Sequence, residues 1–519
     1  MRPRSFARCP GAGRGAGLAR NNLAVAGDLS MGTNRPHAPP LLSRRRLVAG
    51  AAALAVSLVR LPRDRPYAQT GASERSADGF RVLRARAGRA ALRGPGQPET
   101  AIWGYDGIVP GPLLRVSQGD ELRVRLVNEL PQPTLIHWHG IRLPNAMDGV
   151  PHLTQPVIDS GASFDYRFKV PDAGTFWYHT HHYSSEQLAR GLYGPLIVEE
   201  RTPPDVDQDV LLVLDDWRLD TDGMIHEASL GAMHDAAHAG RIGQHLTANS
   251  RPSFEIAVAT NERLRLRLIN AANARVMPLR IADHTPYVMA IDGQPAEPFL
   301  ARASQITLGP GNRADLFIDA AREPGATGSI LINDYGRREV EIARLVYNPQ
   351  AGKRPAPLAA PRPLPSNPLP ERMGFTDALR IDIPIEGGAM STMMMRRGPA
   401  GDIPGHGLDP RARLWTMAGL SSSGHDGPPL FRVRRGRTVV IAIANRTVFP
   451  HAMHLHGHHF RLLDNLDDGW KPFWLDTVVV AAEQSTRIAF VADNPGKWMI
   501  HCHMLEHQDT GMAAWFEVG

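Results

Sequence analysis

The run His501-Cys502-His503-Met504-Leu505-Glu506-His507-Gln508-Asp509-Thr510-Gly511-Met512 places a thiol, three imidazoles and two thioethers within twelve positions. A thiolate, two imidazoles and a weak thioether are the ligand set of a blue-copper electron-transfer site, and Cys502, His507 and Met512 supply three of the four. In an extended strand successive side chains point to opposite faces, so His501 and His503 share one face and Cys502 takes the other. One strand can thus serve a sulfur-ligated copper on one side and a second metal centre on the other.

Three further clusters define that second centre. The chain carries His137-Trp138-His139-Gly140, then His179-Thr180-His181, then His451-Ala452-Met453-His454-Leu455-His456-Gly457-His458. Each His-x-His pair presents two imidazoles to one strand face. Four such pairs offer eight nitrogens, enough for three copper ions, and His451 remains as the fourth ligand of the sulfur site.

These motifs resemble those of three-domain multicopper oxidases of the laccase and cuprous oxidase type, with the match running from about residue 78 to the C-terminus. Carried over position by position, the resemblance makes His451, Cys502 and His507 the type 1 ligands with Met512 axial. It gives His137 and His454 to the type 2 copper, and His139, His179, His181, His456, His501 and His503 to the type 3 pair. Four copper ions per chain are implied, and no ligand position is vacant. The implied fold is all-β, three cupredoxin-like Greek-key β-sandwich domains.

Composition agrees and removes one class of function. Residues 1–68 hold twelve Arg against Asp28 and Asp64, a balance of +10 in a chain of net charge +6, which leaves the remainder at about −4. The basicity therefore belongs to a leader and argues against a nucleic-acid partner. Within it, Ser43-Arg44-Arg45-Arg46-Leu47-Val48 precedes an apolar run from Ala49 to Val59, the pattern of a twin-arginine export signal. The run is too short to span a bilayer, so no permanent membrane anchor is expected. Met31 is an alternative start. Cys9 and Cys502 are the only cysteines, so the mature chain has one thiol, available for copper, and no internal disulfide. A periplasmic or extracellular monomer is expected.

The elements that must position these ligands read as strands. Leu122-Arg123-Val124-Arg125-Leu126-Val127-Asn128, Leu264-Arg265-Leu266-Arg267-Leu268 and Val439-Val440-Ile441-Ala442-Ile443 with its flanks follow one pattern, each with Asn close behind. The recurrence suggests one unit repeated three times. Gly 49 and Pro 44 supply turns throughout. The expected divisions are a leader at 1–75, domain 1 at 76–200, domain 2 at 205–347, a Pro-rich linker at 348–370 and domain 3 at 371–519. Copper motifs occupy domains 1 and 3 only, so the nest must form between them.

The resemblance also implies a mechanism. A small-molecule reductant gives electrons singly to the type 1 copper beside His507. They pass through Cys502 to His501 and His503, and four reduce one dioxygen to two waters. Met512 in the axial position sets the potential toward the low end for the family. Asp148 is the acid expected beside the cluster. A second acid commonly follows the last type 1 histidine; Gln508 stands there instead and carries no titrating proton, which leaves Glu506 or a water path as substitutes.

Phenols or aromatic amines are the favoured donors. Cu(I) is the alternative, because Met390-Ser391-Thr392-Met393-Met394-Met395 is similar to the methionine-rich inserts of cuprous oxidases and thioethers favour Cu(I). Thr447 and Phe449 stand where those enzymes carry Asp and Met. A copper-free cupredoxin-like scaffold or division protein, the reading from another class, would lack the Cys and several His. Two-domain nitrite reductases lack the third domain. His234, His238 and His245 lie in a Gly- and Ala-rich segment read as a loop, and His182, His458 and His459 match no ligand position.

Overall fold

The computed structural model describes residues 74–350, 352–370, 372–389, 413–464 and 469–519. The twin-arginine leader, Cys9, Met31 and the Met390–Met395 run lie outside the described residues. Six β-sheets pair into three sandwiches.

The three alternating segments are the equivalent central strands of three like sheets. Glu121–Asn128 runs parallel to Arg81–Ala90 and antiparallel to Ser163–Lys169. Glu262–Asn270 lies likewise between Gln208–Trp217 and Arg313–Ala320, and Thr438–Asn445 between Leu379–Gly387 and Ser485–Val491. The terminal asparagine does one job three times. Asn128 Nδ2 donates to the carbonyls of Gln132 and Ile158, Asn270 Nδ2 to those of Arg275 and Leu308, and Asn445 Nδ2 to those of Phe449 and Ala481. Each Oδ1 accepts the N–H two residues on, at Leu130, Ala272 and Thr447. The side chain satisfies backbone groups where the ladder ends, as buried polar groups require.

Period-two alternation gives each strand an apolar face. Leu83, Val124, Leu126 and Phe168 pack against Trp138, Tyr178, Leu196 and Val198 in the first sandwich. Leu264, Leu266, Leu316 and Ile332 fill the second, and Ile441, Ile443, Phe490 and Trp498 the third. The polar face of Glu262–Asn270 is not a solvent face. Arg265 and Arg267 are both buried, paired with Asp315, Glu200 and Asp209, because this sheet packs against the first sandwich. Residues 348–370 contain no helix or strand among the described positions and are tied down by Arg354–Asp207 and by Asn367 against Ala173.

Asp215, also at the junction of the first and second sandwiches, is buried and accepts a 2.5 Å hydrogen bond from the Tyr193 hydroxyl. Burial, and then the adjacent Asp216, raise its carboxyl well above the ordinary 3.8. The folded protein keeps a proton there that the unfolded chain releases, so this group's stabilisation is complete below pH 3.8 and declines as pH rises toward the folded value. Asp215→Asn is expected to leave acid stability unchanged and to gain about 1.4 kcal/mol per pH unit across that window. Thermal unfolding against pH measures this; an equal loss at every pH would show that the carboxylate is needed as an acceptor.

Candidate metal centre

Two antiparallel strand pairs carry the histidines. His137–His139 pairs with Gly174–His179 so that His137 faces His179 across the ladder. His451–Leu455 pairs with Gly496–Cys502 so that His454 faces His501 and Met453 faces Cys502. Residues directly opposite present their side chains to the same face. His454 and His501 therefore enter one nest, while Cys502 points to the other side, where His451 lies.

On that other side the Cys502 sulfur is 3.6 Å from Nδ1 of both His451 and His507, whose Nδ1 atoms are 3.1 Å apart. All three residues are fully buried, as is Met512, which packs in the same core. Burial pushes the Cys502 thiol up to about 12 and His507 down to about 4. Neutral imidazoles beside a thiol that resists ionisation fit a cation held among them, since a metal takes the thiolate and the free ring nitrogens. The far nitrogens are occupied. Nε2 of His451 bonds to the Thr447 hydroxyl at 2.8 Å, and Nε2–H of His507 donates to the His238 carbonyl at 2.8 Å.

In the nest, among the described residues, four sets of side chains drawn from His137, His139, His179, His181, His454, His456, His501 and Asp476 bring ligand atoms within 4.8 Å of one another. His501 Nε2 lies 3.1 Å from His456 Nε2 and 3.4 Å from His181 Nε2. His139 Nδ1 lies 3.4 Å from His179 Nε2, and His503 joins by ring contacts with His139, His179 and His501. Burial holds His139, His179, His181, His456, His501 and His503 well below the ordinary imidazole range. They are neutral rings, each with one lone pair to give.

Hydrogen bonds outside the nest decide which nitrogen that is. His137 Nδ1 bonds to the Asp148 carbonyl at 2.8 Å, His179 Nδ1 to that of Thr180 at 2.7 Å, His454 Nδ1 to that of Asp476 at 2.9 Å and His501 Nδ1 to that of Cys502 at 3.0 Å. His456 Nδ1 lies 2.9 Å from the Asp148 carboxylate. These rings turn Nε2 inward. His139 is reversed, with Nε2 on the Asp476 carboxylate at 3.1 Å. Nε2 of His137 and His454 and both nitrogens of His503 are buried with no hydrogen-bond partner, an arrangement that metal coordination resolves.

Asp148 spans two ligand positions, its Oδ1 lying 3.3 Å from His137 Nδ1 and its Oδ2 on His456. Glu506 faces the second sandwich: Asn273 donates to it at 2.7 Å, and burial pushes it up to about 7. Gln508 donates to the Ser184 hydroxyl at 3.0 Å. His458 is packed among Phe490, Trp498 and Phe516.

A donor docking near His507 meets a covered edge. That edge is covered by the segment around the short helix Met233–Ala237, whose carbonyls at Ala236 and His238 accept from Trp415 Nε1 and His507. His234 and His238 stack at 4.1 Å on this cover. The cover works through backbone atoms, so no residue type announced it. Asp476, which holds His139 and His454 from behind, and Arg313, which pairs with Asp476, also fell outside every ligand motif.

Three family models, each described as multicopper oxidase, match residues 88–203, 208–339 and 407–519. The multicopper oxidase MmcO of Mycobacterium tuberculosis is 31% identical over 449 residues, 80% of this chain and 83% of that protein. Laccase-2 of Fomitopsis schrenkii is 29% identical over 452 residues, 79% of this chain and 84% of that protein. The crystal structure of a multicopper oxidase from Pseudomonas thermotolerans superposes with a TM-score of 0.73 at 34% identity, covering 84% of this chain and 98% of that one. The fold and the paired copper-type sites define a cupredoxin-built oxidoreductase, and the chain belongs to the multicopper oxidase family. It is a copper enzyme that couples oxidation of a reducing substrate to reduction of dioxygen.

Proposed function

We propose that this multicopper oxidase is laccase-like, drawing electrons singly from phenols or aromatic amines. The observation that carries the reading is the segment His501-Cys502-His503, whose sulfur enters one buried ligand set and whose imidazoles enter the other. In this reading His451, Cys502, His507 and Met512 hold a type 1 copper, His137 and His454 a type 2 copper, and His139, His179, His181, His456, His501 and His503 a type 3 pair, four ions in all. Copper bound there supplies one-electron exchange at the sulfur end and dioxygen reduction at the nest.

The protein's own groups do the rest. Asp148 places its carboxylate beside His137 and His456, where it passes protons toward the nest, and Glu506 is a second, more distant proton store. Substrate docks over the covered edge of His507, where Val448 is exposed and Phe449 lies beside His238 and Trp415. The half-buried Phe449 ring there suits a flat aromatic donor. Thr447 bonds to His451 and supplies no carboxylate toward a metal substrate. The laccases among the relatives support the same choice.

Export by the twin-arginine route, a periplasmic or extracellular monomer, and divisions at 76–200, 205–347 and 371–519 complete the proposal. Among the described residues no helix is long and apolar enough to cross a membrane. Parallel assays of a methoxyphenol and of Cu(I) on copper-loaded protein test the substrate. Phenol turnover well above Cu(I) consumption is expected; rapid Cu(I) oxidation without phenol turnover would make this a cuprous oxidase.

A further inference from the structure

We propose that Arg313, from the sandwich that carries none of the copper motifs, is a positioning residue for the histidine nest: through Asp476 it fixes the nitrogens that His139 and His454 present. The inference rests on the reading of those histidines as copper ligands.

Arg313 is fully buried, and its guanidinium lies two-pronged on Asp476, Nη1 donating to Oδ1 at 2.8 Å and Nη2 to Oδ2 at 2.6 Å. Its other bonds run to backbone carbonyls, Nε to Thr175 at 3.3 Å and Nη1 to Gly311 at 3.1 Å. The carboxylate plane is thereby set from one side. From the other, Oδ1 accepts from His139 Nε2 at 3.1 Å, and the Asp476 carbonyl accepts from His454 Nδ1 at 2.9 Å. One aspartate thus turns two neighbouring rings in opposite senses, Nδ1 inward for His139 and Nε2 inward for His454. The two rings stack at 3.8 Å, so neither turns without the other.

The same sandwich also grips the Asp476 backbone. Asp292 Oδ2 accepts the N–H groups of Asp476 and Thr477 at 3.2 Å each, and Asn312 Nδ2 donates to the Thr477 carbonyl at 2.9 Å. Two glycines leave the space this needs. A Cβ on Gly140, next to His139, would sit 2.2 Å from Arg313 Nη2. One on Gly311 would sit 3.0 Å from both His139 Cε1 and His503 Cδ2, so the Gly311 backbone is a wall of the nest. The second sandwich therefore does more than space the other two: all three meet at Asp476, His139 from the first, Arg313 from the second and His454 from the third.

The test uses the full chain loaded with copper, in wild-type form and as Arg313→Lys and Arg313→Met. Lysine keeps the charge and the fold but not the two-pronged contact. In Arg313→Lys we expect the blue thiolate absorption per chain to persist while copper content falls, the type 2 paramagnetic resonance signal changes, and dioxygen uptake drops about 10- to 100-fold, the range for residues that orient metal ligands. Arg313→Met should lose more nest copper. Full copper content with an unchanged type 2 signal in the lysine variant would overturn the proposal, as would loss of the blue absorption in step with nest copper, which would mark Arg313 as a general fold residue. Wild-type protein without blue colour or nest copper would instead sink the ligand reading beneath it.

Discussion

Cys502→Ser is expected to abolish the blue colour and bring dioxygen uptake to background while the fold survives. The sulfur is fully buried at 3.6 Å from the Nδ1 atoms of His451 and His507. A serine hydroxyl does not ionise at neutral pH, is a hard donor where the set calls for a soft one, and reaches less far from Cβ. His501 and His503 are untouched, so copper content should fall by the ion at the sulfur site while the nest retains its own. The structural cost is small by comparison: a buried hydroxyl without a partner costs about 1–3 kcal/mol, which thermal unfolding of the metal-free protein would read. Oxygen uptake and colour that survived the substitution would mean that electrons do not enter through this sulfur.

Much of this arrangement could be read from the chain, and the boundary of what could not is physical. The strands Glu121–Asn128, Glu262–Asn270 and Thr438–Asn445 were legible because a side chain's face depends only on its position along the strand. Their asparagines were visible as recurrent residues, but the carbonyls they satisfy lie up to 38 residues away. The alternation at Leu264–Leu268 could not show that Arg265 and Arg267 are buried, because their acidic partners lie in other strands and in the neighbouring sandwich's last strand region.

The ligands show the same division. Residue type and spacing single out His139, His454 and Cys502 as the proposed ligands, since imidazole and thiolate are the donors that chemistry calls for. The nitrogen a ring presents is set in part by acceptors outside its motif, the Asp148 carbonyl for His137 and the Asp476 carboxylate for His139. The cover over His507 is a carbonyl, a group every residue has. Arg313 left one trace in sequence, the closely spaced glycines of Gly309-Pro310-Gly311-Asn312-Arg313, which mark a tight backbone approach without saying to what.

Asp148→Asn is expected to slow turnover by about 10²- to 10⁴-fold, the usual contribution of a positioned general acid, with copper content and blue absorption unchanged. Dioxygen reduction consumes protons inside a nest of neutral, buried imidazoles, and Asp148 is the carboxylate that touches both His137 and His456. Its two roles separate in the asparagine variant. The backbone carbonyl that takes the His137 Nδ1 proton at 2.8 Å is unaffected, and an amide oxygen can still accept from His456 Nδ1. Ring orientation should therefore survive, whereas an amide has no proton to deliver in this pH range. Gln508 already stands as an amide on the Ser184 hydroxyl, and Glu506 is turned toward Asn273, so neither offers a carboxylate in contact with the nest histidines to take over. The measurement is dioxygen uptake at saturating reductant across pH, alongside copper per chain. Loss of nest copper in the variant would make Asp148 a ligand-orienting residue first, and unchanged turnover with full copper would place the proton path elsewhere, with Glu506 the next residue to replace.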